Sequence, residues 1–81
     1  MIKVDVQYFA NFKDERGLDQ ETLSFESSLS AQDLFDDLQK QYSFRSTSSK
    51  CRVAINDDFV LWDRPLEDGD RVVFIPPVGG G

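Results

Sequence analysis

Histidine is absent from the sequence and cysteine occurs once, at Cys51. The first absence removes the commonest general base and the commonest metal ligand. The second excludes an intramolecular disulfide and a cysteine-based zinc site. Basic residues are also scarce: 9 lysines and arginines face 15 aspartates and glutamates, a net charge of −6. That balance repels a phosphate backbone, so no nucleic-acid partner is expected. It suits a partner with a basic docking surface, although solubility alone explains it as well. No apolar run approaches the roughly 18 residues of a membrane span, so no membrane partner is expected either. Met1-Ile2-Lys3-Val4 lacks the long apolar stretch of a secretory signal, and the expected address is the cytoplasm. A chain of 81 residues has room for one modest core and not for a two-domain enzyme. With 40% apolar and 30% charged residues, the composition is that of a folded domain rather than a disordered one.

What is present is ordered by its periodicity. Ile2 to Tyr8 alternates apolar and polar residues, the pattern of a strand with Ile2, Val4, Val6 and Tyr8 on one face. Phe9 then falls on the opposite face. Ala10 to Gln20 is polar, contains Gly17, and reads as the loop of a long hairpin whose return strand is Thr22-Leu23-Ser24-Phe25. At Ser30 the period changes. Ser30 is a suitable N-cap with Asp33 three residues on, and Ala31, Leu34, Phe35 and Leu38 follow at helical spacing, predicting a helix from Ala31 to Tyr42. Ser43 to Lys50 reads as a loop, and Arg52 to Asn56 as a strand with Val53 and Ile55 inward. Asn56-Asp57-Asp58 is a turn, and Phe59 to Trp62 a short apolar element. After the polar Asp63–Asp70 stretch with Gly69, Arg71 to Ile75 forms the last strand, stopped by Pro76-Pro77. One helix over a mixed sheet of about five strands is an α+β two-layer domain. A helix between a hairpin and later strands suggests the ubiquitin-like β-grasp, with first and last strands parallel neighbours. Residues 1–75 are assigned to this domain and 76–81 to an extended tail.

The tail carries the chemistry. Two prolines hold the chain extended as it leaves the last strand, and Val78 then leads into Gly79-Gly80-Gly81. A peptide without side chains can thread a narrow channel and offer a carboxylate to another protein's active site. Glycine costs much conformational entropy when ordered, so this composition makes sense where side chains must be absent. Composition leaves a second reading open, a frayed end without a task.

The segment from Val53-Ala54-Ile55-Asn56 through Asp63-Arg64-Pro65-Leu66-Glu67-Asp68-Gly69-Asp70-Arg71-Val72-Val73-Phe74-Ile75-Pro76-Pro77-Val78-Gly79-Gly80-Gly81 resembles the small, sulfur-carrying subunits of molybdopterin synthase, the MoaD/ThiS-like, ubiquitin-related carriers. Met1 to Val4, Tyr8-Phe9-Ala10 and the capped helix from Ser30 to Leu38 are similar to the family as well, so the likeness spans nearly the whole chain. Its specific part is the Pro-Pro-Val-x-Gly-Gly ending. Gly79 departs from it slightly, because the variable position is also glycine, and Gly80-Gly81 is the expected working pair.

The resemblance implies a function. In such carriers the terminal glycine, here Gly81, is adenylated by an E1-like enzyme that consumes ATP, and sulfur from an indirect persulfide donor replaces AMP to leave a thiocarboxylate. The carrier itself binds no cofactor and no metal. Its tail docks in the large synthase subunit, in an expected heterotetramer, and donates sulfur to convert a cyclic pyranopterin precursor to molybdopterin. The carrier would then be a non-catalytic, sulfur-donating subunit. A carboxylate is a poor electrophile, and adenylation turns one of its oxygens into a leaving group. The rival readings are a related carrier for thiamin or tRNA thiolation and a ubiquitin-like modifier joined to target lysines.

Docking requires a surface. Alternation places Phe9, Ala54, Val73 and Ile75 on the sheet face away from the helix, and Phe59 after the polar turn is added to them. With Pro76, Pro77, Val78 and Gly79 they form the expected partner-docking set. Asp57, Asp58, Glu67, Asp68 and Asp70 are read as a steering rim or as solvated turns. Cys51 reads as a half-buried thiol, and Asp33, Asp36 and Asp37 as the solvated face of the helix.

Overall fold

Alternation at the start of the chain produces β1 (Ile2–Gln7), with Val4 and Val6 buried and Lys3 exposed. The structure, a computed structural model, describes residues 1–77. After β1 come α1 (Asn11–Arg16), β2 (Gln20–Phe25), α2 (Ala31–Tyr42) and a 3-10 turn at Ser48–Lys50. β3 (Arg52–Ile55), β4 (Asp58–Val60) and β5 (Arg71–Ile75) complete the order. The strands form one sheet in the order β2-β1-β5-β3-β4. β1 and β5 are parallel, with Val6 opposite Val72, and the other three pairings are antiparallel. This is the β-grasp, as the order of elements implied.

α2 forms where its spacing predicts. The Ser30 hydroxyl accepts from the Asp33 N–H at 3.1 Å, and the Asp33 carboxylate accepts from the Ser30 N–H at 3.1 Å, a complete capping box. The next two N–H groups, of Ala31 and Gln32, donate to the carbonyls of Arg64 and Trp62 at 3.0 and 2.9 Å. The segment after β4 thereby satisfies donors that a helix start leaves open, and fixes α2 to the sheet. The stripe Ala31, Leu34, Phe35 and Leu38 is buried with Val4, Val6, Val53, Ile55, Val72 and Phe74 from the sheet. The rings of Phe35 and Phe74 meet edge to face at 5.2 Å. Each such large side chain contributes about 1.5–3 kcal/mol by burial.

Ala10 to Gln20 is not simply a loop. It contains α1, whose Phe12 is fully buried and meets the rings of Phe35, Phe44 and Phe74 at 5.8, 5.0 and 6.2 Å. A six-residue helix with a single apolar residue shows no period, so alternation and 3.6-residue spacing are both blind to it. Gly17 closes it at φ 82°, its N–H donating to the Lys13 carbonyl. Arg16 grips Glu21 through Nε and Nη2, both at 2.8 Å, and the Tyr8 hydroxyl donates to the same carboxylate at 2.6 Å. Pairing with Arg16 chiefly holds Glu21 below the ordinary carboxylate range, against the opposing effect of burial.

A candidate docking face and the end of the last strand

Strand register decides which side chains share the open face of the sheet. Gln20 lies opposite Gln7, Gln7 opposite Val73, Val73 opposite Ala54, and Ala54 opposite Phe59. One row thus crosses all five strands, polar on β2 and β1 and apolar on β5, β3 and β4. Phe59 is 61% exposed. Val73 is half-buried, and Ala54 is buried rather than exposed because its neighbours in the row cover it. In the next position toward the exit of β5, Ile75 lies opposite Arg52. The structure therefore brings Phe59, Val73 and Ile75 together on one surface.

Phe9 stands apart from that row. It lies beyond the end of β1, 59% exposed, beside a shallow concavity it shares with Gln7, Ala10, Lys13 and Gln20. Because β1 and β5 are parallel, Phe9 leaves the sheet at the end from which Ile75 leads into Pro76 and Pro77. Ala10, which follows it, adopts φ 50° and ψ −124°, a conformation that costs any residue with a Cβ. Pro76 is half-buried and Pro77 exposed. Val78, Gly79, Gly80 and Gly81 lie outside the described residues.

Two exposed groups belong to this surface and were not in the expected set. Leu61 is 77% exposed, just after β4. Its parity with Phe59 would have placed the two on the same face. The Arg52 guanidinium lies over the Phe59 ring, 5.0 Å from its centroid, a pairing that depends on strand register and has no local signature.

The acidic rim is corrected at one position. Asp57, Asp58, Glu67 and Asp68 are exposed, but Asp70 is buried. Its carboxylate accepts from the Glu67 N–H at 2.8 Å, from Arg64 Nη1 at 2.9 Å and from Asn56 Nδ2 at 3.0 Å. Burial raises its pKa, yet these donors together with the Arg64 charge outweigh it and hold the carboxyl below the ordinary value of 3.8. Around it, the Lys3 N–H donates to Asp68 Oδ1 at 2.8 Å and the Gly69 N–H to the Lys3 carbonyl at 2.8 Å. The Asp68-Gly69-Asp70 turn is a structural clip that fastens the entry of β5 to β1. Cys51 is buried, not half-buried, and burial pushes its thiol pKa up, so it is no activated nucleophile. Among the described residues no cluster of histidine, cysteine and carboxylate side chains could hold a metal ion. No described helix is long and apolar enough to cross a membrane.

Residues 6–81 match the model of the ThiS family. The chain belongs to the ThiS family. The molybdopterin synthase sulfur carrier subunit of Mycobacterium tuberculosis is 32% identical over 83 residues, covering 100% of each chain. A Pyrococcus furiosus structure provisionally described as molybdopterin converting factor, subunit 1, superposes with a TM-score of 0.80 at 30% identity, over 96% of this chain and 100% of that one. A structure of the complex of subunits 1 and 2 of the molybdopterin-converting factor from Helicobacter pylori is similar with a TM-score of 0.68 at 26% identity, over 99% of this chain and 100% of the matched one. In the Pro65–Asp70 stretch, Leu66 is buried in the core and Asp70 anchors the clip. That stretch builds the fold.

Proposed function

We propose that this chain is a sulfur carrier of molybdenum cofactor biosynthesis, the small subunit of a molybdopterin synthase. The observation that carries the reading is the continuity of β5. The strand that places Val73 and Ile75 on the open apolar face runs directly into Pro76-Pro77 and the glycine segment. A partner seated on that face is therefore adjacent to the origin of the tail. Supporting this are a relative named as a sulfur carrier subunit, matched over its full length, and the related complex of two converting-factor subunits.

In the proposed cycle the Gly81 carboxylate attacks the α-phosphorus of ATP on an E1-like enzyme, and pyrophosphate leaves. The terminal sulfur of a persulfide then attacks the acyl carbon and AMP leaves, forming an acyl disulfide. A thiol cleaves its S–S bond and frees the thiocarboxylate, a soft nucleophile on a narrow arm. In the large synthase subunit the thiocarboxylate sulfur bonds to an electrophilic carbon of the cyclic pyranopterin precursor, whose oxygen substituent leaves. Water then cleaves the acyl C–S bond, leaving the sulfur on the precursor and restoring the Gly81 carboxylate. The carrier contributes docking surface and tail, and the partners contribute the general bases.

The test is the intact mass of the chain after incubation with an E1-like activator, ATP and a sulfur donor. The expected result is replacement of one oxygen by sulfur, abolished when Gly81 is deleted while the melting temperature is unchanged. No mass change, with an activator shown to adenylate another carrier, would refute the assignment. Lysine-linked conjugates instead of a thiocarboxylate would establish the modifier reading.

A further inference from the structure

We propose that Arg52 and the groove beside it form a receptor for one carboxylate side chain on the protein that accepts the tail. The inference rests on the docking reading above and specifies the chemistry of the partner's surface.

The sequence has five arginines. Four are matched to carboxylates: Arg16 to Glu21 at 2.8 Å, Arg64 to Asp70 at 2.9 Å, Arg71 to Asp57 at 2.6 Å, and Arg45 to Glu15 at 4.0 Å. In a chain of net charge −6, Arg52 is the arginine with no such partner among the described residues. It is exposed, on the open face, opposite Ile75 and over the ring of Phe59. A guanidinium laid on an aromatic ring is held by the ring's negative face, and its edge donors remain free to form two parallel bonds to a carboxylate. The stacked group is already ordered and partly desolvated, so pairing forfeits less entropy and hydration than it would for a free side chain.

The surroundings are shaped for such a guest. Beside Arg52 is an open groove of about 390 Å³, lined also by Ser48, Ser49, Cys51, Phe59 and Leu61. Ser48 Oγ accepts from Gln32 Nε2 at 2.9 Å, which leaves its own proton to donate to an incoming acceptor. An apolar partner surface closing over Phe59, Leu61 and Ile75 would strand the Arg52 charge unless it supplied a counter-charge at that place. The apolar patch alone accepts many surfaces. The patch with a stacked cation at its edge accepts one that carries an acid in register, and this supplies specificity that the acidic remainder of the chain does not.

The experiment titrates the full chain against its cognate large synthase subunit by calorimetry, at low and at high sodium chloride. Wild type is compared with Arg52→Ala, Arg52→Lys and Ile75→Glu, each checked for an unchanged melting temperature. Arg52→Ala is expected to weaken binding about 30-fold at low salt, the scale for truncating one partner of a docked charge pair, and to flatten the salt dependence. Arg52→Lys should keep the salt dependence and recover part of the affinity. Wild-type affinity for Arg52→Ala, with Ile75→Glu weakened, would overturn the receptor and leave the docking face intact. Wild-type affinity for both variants would remove the docking reading itself. A loss on Arg52→Ala with undiminished salt dependence would mean that only packing on Phe59 was removed, and would also overturn the receptor.

Discussion

Phe12→Ala removes a fully buried ring from the junction of α1, α2 and β5. Three aromatic neighbours meet it edge to face, at 5.0 to 6.2 Å. Their rings are themselves held by the sheet and by α2, so they cannot collapse fully into the space left behind. A buried phenylalanine reduced to alanine costs about 3–5 kcal/mol, the transfer of the ring plus the cavity, and this site belongs near the middle of that range at about 4 kcal/mol. A domain of this size holds roughly 4–12 kcal/mol in all. The variant is therefore expected to be largely destabilised, melting roughly 15–30 °C below wild type at about 4–8 °C per kcal/mol. Thermal and urea unfolding followed by circular dichroism would measure it, with Phe12→Leu, which keeps most of the volume but loses the ring–ring contacts, as an intermediate control losing about 1–2 kcal/mol. A drop below about 5 °C for Phe12→Ala would refute the packing of α1 and return Ala10–Gln20 to a surface loop.

Other consequences are as specific. Asp70→Ala leaves Arg64 and Asn56 without their acceptor and is expected to cost about 2–3 kcal/mol at neutral pH, measured by urea unfolding. Because the folded pKa of Asp70 is depressed, its contribution is fully present above the ordinary carboxylate range and is lost as pH falls through the folded value. The gap between wild type and Asp70→Ala should therefore narrow in acid, and a gap independent of pH would contradict the ion-pair account. Ala10→Gly relieves a positive-φ conformation at the cost of a looser unfolded chain, for a net gain of about 1 kcal/mol; a lower melting temperature would show that Ala10 does not hold that geometry.

Much of the fold was legible because its signals are local. The alternation of β1, the apolar stripe of α2 and its capping box each lie within a dozen consecutive residues, and each requires no knowledge of the rest of the chain. The hairpin between β3 and β4 was legible for the same reason, although β4 spans Asp58–Val60 rather than Phe59 to Trp62. Asn56 and Asp57 adopt φ 53° and 74°, the positive angles a two-residue hairpin demands, and asparagine and aspartate tolerate them. Phe44 stands alone in a polar stretch yet is buried in the core, and it is hidden for the same reason as Phe12: a single apolar residue has no period.

Read alone, the sequence does not yield α1 or the exact bounds of β2 and β4, but it does yield the order of the five strands and α2, the alternating faces of the long strands and a tail whose composition suits threading. These depend on the covalent geometry of neighbouring residues and on the fixed periods of helix and strand. The tertiary structure alone decided how charges were matched. Asp70 reads in sequence like any acidic turn residue, and becomes a buried anchor because Arg64, Asn56 and the Glu67 N–H converge on it. Arg52 reads like any strand-edge cation, and becomes the arginine left over because register sets it on Phe59 beyond the reach of the described carboxylates. Arg64 and Glu67 lie six and three residues before Asp70, and Asn56 fourteen before it. None of them stands at a fixed helix or strand period, and only the folded path of the segment between β4 and β5 turns their donors onto one carboxylate.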